Sequence, residues 1–158
     1  MGLISKLFGS KSSNEDDKYV LFGALGSMLA SSDGEGTKEE GEWVGRYLAS
    51  VPGMTRERHV NIIKRASTEG HNALAHAQKL NEDEKIELID FLIGVATADG
   101  YFHGEEAAFI FTYSIFLGFN QDQSMNICNH LLEEYDINMD EFNNACDKMK
   151  SRFNQAGF

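Results

Sequence analysis

One stretch of this chain repeats another. Leu29-Ala-Ser-Ser-Asp-Gly-Glu-Gly-Thr-Lys-Glu-Glu40 lies over Val95-Ala-Thr-Ala-Asp-Gly-Tyr-Phe-His-Gly-Glu-Glu106. Asp33 meets Asp99, Gly34 meets Gly100, Glu39 meets Glu105 and Glu40 meets Glu106, each pair 66 residues apart. Ala30/Ala96 and Tyr47/Tyr113 keep that offset, and Asn61-Ile62 over Asn126-Ile127 continues it at 65. Two copies predict two related halves packed together rather than a solenoid, which stacks three or more units.

Each half reads as helices. Tyr19 to Ser32 carries Val20, Leu21, Leu25, Met28 and Leu29 at helical spacing. Thr37 opens a second helix through Trp43, Val44, Tyr47 and Leu48, and Pro52-Gly53 ends it. Thr55 starts a third. In the second half, Ile86 to Val95, Glu105 to Leu117 and Gln121 to Glu133 give the matching three, with Gly118 closing the second. Asn72 to Leu80 reads as a short helix between the halves. Asp140 to Asn154 closes the chain, with Phe142, Cys146, Met149 and Phe153 on one face. No segment alternates like a strand for long. The expectation is all-α: one compact bundle of seven to eight helices built from two pseudo-symmetric repeats. Half-repeats span about 19–65 and 85–132 within a helical domain of residues 18–158. Phe109 to Leu117 is apolar nearly all round, which predicts a central helix. Trp43, the counterpart of Phe109, is expected in the core too.

Residues 1–17 read as a tail. Leu3, Ile4, Leu7 and Phe8 share a helical face near Lys6 and Lys11, and the composition after Gly9 is linker-like. Two readings stand: weak contact of residues 1–11 with an anionic membrane, or a frayed or docked terminus. Lys6 occupies the position where a myristoylation pattern needs Ser or Thr.

Net charge is −11. It argues against nucleic acid, which needs a basic footprint, and favours metal ions or basic protein surfaces. Cys128 and Cys146 form no CxxC or zinc spacing and read as small core residues in a reducing cytosol. No apolar run reaches membrane-spanning length.

The two Asp-Gly loops carry the candidate chemistry. Asp33, Gly34 and Glu40, like Asp99, Gly100 and Glu106, keep the fifth, sixth and twelfth positions of an EF-hand loop. Leu29 and Val95 stand at its first position and cannot ligate, so a complete EF-hand is not expected. Helix punctuation explains the same residues. The glycines can take the left-handed conformation, Thr37 with Glu40 makes a capping box, and Asp33 and Asp99 suit Asx turns. A cation site is the other reading: Asp33, Glu39, Glu40, Asp99, Glu105 and Glu106 supply oxygens for Ca²⁺, Mg²⁺ or Mn²⁺, and His103 adds a nitrogen that admits zinc. The acids Glu133, Glu134, Asp136, Asp140 and Glu141 read instead as a solvated helix start.

The pattern Ala-x-x-Asp-Gly-x-x-x-x-Glu-Glu after a buried helix, with Leu117-Gly118-Phe119 after the next, resembles the tellurite-resistance TerB-like family. ATADGYFHGEEAAF carries the match, ASSDGEGTKEEGEW looks like the other copy, and the likeness covers about Tyr19 to Glu133. The fold is also similar to the N-terminal domain of a membrane-anchored DnaJ-type co-chaperone. The resemblance implies a compact acidic bundle and a non-catalytic role in tellurite and stress resistance. It also implies action at the inner face of the bacterial membrane, with a membrane-associated protein partner and a suggested divalent metal. His103 stands where the family often has a small polar or acidic residue, and Lys38 and Gly104 dilute the acids.

No HExxH, GxSxG, Walker A or dinucleotide fingerprint occurs. The expected function is a cytoplasmic interaction module using the acidic loops. The alternative is a metal-free adaptor with an apolar groove, marked by exposed Phe102, Phe119 or Phe158. A small metal-dependent hydrolase is the third reading.

Overall fold

Three glycines set how closely the helices of this chain approach. The computed structural model describes residues 10–32, 36–70 and 72–155. Among these it has eight helices and no strand: α1 Ser10–Ala30, α2 Lys38–Ser50, α3 Arg56–Glu69, α4 Asn72–Ala77, α5 Glu82–Ala96, α6 Gly104–Phe116, α7 Gln121–Glu134 and α8 Met139–Gln155. At Gly94 in α5 an added Cβ would lie 2.2 Å from the Trp43 ring. At Gly26 in α1 it would lie 2.9 Å from Phe91, and at Gly23 it would lie 3.1 Å from Ala66 in α3. These bare positions seat α2 and α1 on α5, and α3 on α1. Trp43 is therefore half-buried, capping α5 from the side, rather than fully in the core as expected.

The all-α expectation holds. α6 is enclosed by α8, α7, α5 and α1, which is why its sequence is apolar on most sides. Ala107, Ala108, Phe109, Ile110 and Tyr113 are buried, and only Ile115 among its large apolar residues is exposed. α1 and α5 pack against each other through the middle, α2 lies on α5, and α6 reaches across to α1.

The first helix starts earlier than its apolar spacing predicts. The tail was expected to run to residue 17, yet Ser10 to Lys18 is already α1. Ion pairs with α3 supply what apolar contacts do not: Arg58 donates to Asp16 at 2.6 and 3.1 Å, and Arg65 pairs with Asp17. Lys18 then reaches Glu87 of α5 at 3.1 Å, and the Tyr47 hydroxyl donates to the same carboxylate at 3.2 Å. Glu87 thus ties α1, α2 and α5 together. The proposed membrane-contact residues Leu3, Ile4, Leu7 and Phe8 lie outside the described residues.

The glycines separate two expected outcomes. Gly94→Ala forces the Trp43 ring outward and should cost about 1–3 kcal/mol, the usual cost of overpacking. Gly45, mid-helix in α2, faces open space, so Gly45→Ala should gain about 0.5–1 kcal/mol. Urea denaturation of both variants measures this, and a neutral Gly94→Ala would contradict the packing account.

Candidate functional site

The site is built from two helix starts. Thr37 is the N-cap of α2 and accepts from the Glu40 amide at 3.2 Å, while Glu40 Oε2 accepts the Thr37 amide at 2.9 Å. At α6, Glu106 Oε2 accepts the His103 amide at 3.1 Å. Each glutamate is the third residue of its helix, so its side chain folds back along the helix start. Before α6 the chain turns through Gly100 at φ +85°, and Asp99 Oδ1 accepts the Tyr101 amide at 2.9 Å. That is the Asx turn expected from the sequence. The matching Asp33 and Gly34 lie outside the described residues.

Punctuation of this kind leaves capping glutamates at the surface, and here it does not. Glu40 is 1% and Glu106 0% exposed. The two carboxyls meet within hydrogen-bonding reach. One oxygen of each is used at its cap, and Oε1 of each is buried with no donor among the described residues. Two facing carboxylates have no hydrogen to share, so their bond requires a proton on one of them or a cation between them. Burial, and then the bond to Glu40, push Glu106 up to about 9. The His103 amide pulls the other way, and the charges of Glu40 and Asp99 add to the rise.

Around this pair lies a second, shallower layer. Asp99 Oδ2 is 4.0 Å from His103 Nε2. His103, Glu105 and Glu141 each place a ligand atom within 4.8 Å of the others. Glu141 belongs to the start of α8, and its Oε2 accepts the Gly104 amide at 3.2 Å. Gly104 allows this approach, because a Cβ there would lie 2.5 Å from Glu141 Cβ and 2.6 Å from the Phe142 nitrogen. Of the sequence candidates, Glu40, Glu106, Asp99, His103 and Glu105 therefore gather at one end of the bundle, while Glu39 is exposed. Glu141 was missed, because the charge run around it reads as a solvated helix start. Only the tertiary contact of α8 with α6 brings it in.

The family model for the tellurite resistance protein TerB matches residues 21–129. The chain belongs to the TerB family. No curated protein and no solved structure matches it. Both described helix starts of the acidic site fall within the TerB match, whereas α8 and Glu141 lie beyond it. No helix among the described residues is long and apolar enough to cross a membrane.

Two further expectations meet the structure elsewhere in this TerB domain. Phe102 is buried against the Tyr135 ring, so it forms no exposed patch. It sits between α5 and α6, where the chain enters α6 and apolar burial wins. Phe119 is half-buried and lines a groove of about 360 Å³ between α5 and α7, together with Ile86, Ile89, Ile93 and Ile127. Phe158 lies outside the described residues. Cys128 is buried, Cys146 is half-buried, and burial pushes the Cys146 thiol up to about 11. Such thiols stay protonated and are poor nucleophiles.

The Glu106 shift fixes a pH dependence. Its carboxyl titrates near 4.5 when exposed and at about 9 in the fold. Between those values the folded state holds a proton that the unfolded chain has lost. The stabilisation is therefore complete below about 4.5 and declines as pH rises toward about 9. Glu106→Gln keeps the shape and removes the titration. Metal-free wild type should lose melting temperature relative to this variant between about pH 5 and pH 8.5. Parallel profiles for the two proteins would contradict the shared-proton geometry.

Proposed function

We propose that this TerB domain is a non-catalytic interaction module of tellurite and stress resistance. It holds a divalent cation between its two acidic loops and presents that face to a membrane-associated protein partner at the inner face of the bacterial membrane. The observation that carries the reading is the buried Glu40–Glu106 pair, with one unpartnered oxygen on each carboxyl. Carboxylate oxygens suit hard cations, so Ca²⁺, Mg²⁺ and Mn²⁺ are the fitting ions here. Glu40 and Glu106 would hold the ion, and Asp99 adds charge beside them. Asp33 is the counterpart of Asp99 in the sequence repeat. The bound ion would supply fixed positive charge at the junction of the two halves. It would replace the proton and lock both helix starts in one geometry.

The test is a titration of Ca²⁺, Mg²⁺ and Mn²⁺ into metal-stripped full-length protein. Amide NMR shifts report Ca²⁺ and Mg²⁺, and Mn²⁺ is read by paramagnetic line broadening. Saturable changes at Thr37, Gly100 and His103 are expected, with a Kd below about 100 µM, inside the range of protein calcium sites. Glu106→Gln should weaken binding at least about tenfold, since one of the two ion-holding carboxylates is gone. Flat spectra to millimolar ion would overturn the cation reading.

A second reading rests on the groove between α5 and α7. Its lining is mostly apolar, and Ile86 at its edge is 48% exposed. An adaptor that takes an amphipathic helix of a partner would use such a surface. Partner binding that survives chelator and high salt, and is lost in Ile86→Asp, would favour it. Loss of binding in chelator alone would return the role to the acidic loops.

A further inference from the structure

Helix α3 is basic in an acidic chain. It carries Arg56, Arg58, Lys64 and Arg65 against Glu57 and Glu69, while the whole chain stands at −11. Helical rotation sorts these cations into two sets. Arg58 and Arg65 turn toward α1 and pair with Asp16 and Asp17. Arg56, Val60, Ile63 and Lys64 follow an i, i+4, i+7, i+8 spacing and share one stripe on the side away from α1. Val60 is 43% and Ile63 41% exposed. Ile62 and Ala66, on the inner side, are buried, with Ala66 against Gly23 of α1. Arg56 and Lys64 are exposed, and among the described residues neither forms an ion pair.

A lone exposed apolar side chain is ordinary on any domain. Here two stand together on a helix crest, between two unpaired cations. A convex crest offers no cleft for a partner's side chains, but it can lie flush on a flat surface. Apolar groups flanked by long cationic side chains suit the boundary of an anionic bilayer, where phosphates meet the charges and acyl chains the apolar groups. Glu57 is in the first turn of α3, where the helix N-terminus offsets about half of its charge. The total of −11 does not decide the contact, because exposed charges are screened beyond about 8 Å at physiological salt. The ion pairs to Asp16 and Asp17 also lay the start of α1 against α3, so the chain enters the bundle on this side. The sequence leading into α1 has the same basic and apolar composition, with Leu3, Ile4, Lys6, Leu7 and Phe8.

We infer that the outer stripe of α3 is a lipid-contact face for an anionic phospholipid bilayer. Arg56 and Lys64 bind headgroup phosphates, and Val60 and Ile63 enter the headgroup boundary between them. Two half-exposed side chains bury little area, so the contact is weak, reversible and led by charge. It turns α3 toward the bilayer and so fixes which side of the bundle meets the lipid. The face shares no residue with the acidic loops and needs neither a bound cation nor a protein partner. It stands whether or not the Glu40–Glu106 pair holds an ion.

The test floats full-length protein with vesicles of mixed phosphatidylglycerol and phosphatidylcholine, and with vesicles of phosphatidylcholine alone. Chelator is present throughout, so the result is separate from that of the cation site. Binding to the anionic vesicles alone is expected, weakening as salt is raised from about 50 to about 500 mM. Arg56→Glu with Lys64→Glu should weaken it at least about tenfold, since two cations at the lipid surface are reversed. Val60→Ser with Ile63→Ser should weaken it several-fold at unchanged charge. Lys148→Glu with Lys150→Glu, exposed on α8, alters net charge equally and should leave binding within about twofold. All six positions are exposed, so melting curves should show each double variant folded. Vesicle binding unchanged by the Arg56/Lys64 reversal would overturn the inference and move any lipid contact elsewhere, residues 1–11 included. An equal loss in the α8 control would overturn it too, reducing the effect to net charge. Absence of binding to anionic vesicles would do the same, and stripe-dependent binding of a polyglutamate peptide would then assign α3 to an acidic protein instead.

Discussion

Two carboxyl groups buried against each other dominate this structure. Taking one carboxylate out of water costs several kcal/mol even after relaxation. A facing pair adds repulsion unless something positive lies between them. Glu40 and Glu106 meet that cost partly by accepting amides at their own helix caps. The remaining oxygens are left to a proton or a cation. A purely structural bundle would be expected to fill this place with apolar side chains, because such replacements of buried ionic groups are often neutral or stabilising. The pair is therefore the part of the fold that points most directly to a role beyond folding.

The rest of the bundle positions that pair. α2 and α6 both pack against α5, so α5 sets where their N-terminal ends lie. Gly94 lets Trp43 bring α2 close, and Glu87 binds Lys18 and the Tyr47 hydroxyl to hold the three helices in place. Phe22, Trp43, Tyr47 and Phe91 then form a contiguous ring cluster beside these contacts. On the far side, α8 covers α6 and carries Glu141 to the acidic end. Helices that pack for ordinary apolar reasons thus deliver acids from three separate sequence regions to one place.

The helices and their punctuation were legible in the residues themselves. Apolar spacing and caps predict the helices, and Thr37 and Thr55 do cap the ones that follow them. The Asx turn at Asp99 and the left-handed Gly100 follow from residue type. Three things were not legible, each for a physical reason. The early start of α1 depends on ion pairs to Arg58 and Arg65, which lie more than 40 residues away and leave no local apolar signal. The burial of Glu40 and Glu106 cannot be read from a capping box, which looks the same at a surface. The part played by Glu141 depends on how closely α8 approaches Gly104, and a charge run carries no information about that distance. Glu39 matches Glu105 in the repeat and so counts among the candidates, yet helical rotation leaves it exposed.

The most direct test is anomalous diffraction from crystals soaked in Mn²⁺ near neutral pH. The account predicts a peak between the Glu40 and Glu106 side chains. Crystals that bind Mn²⁺ only away from Glu40 and Glu106 would contradict it. The inner pair would then be a proton-sharing element of the fold, and the interaction role would have to rest on another surface.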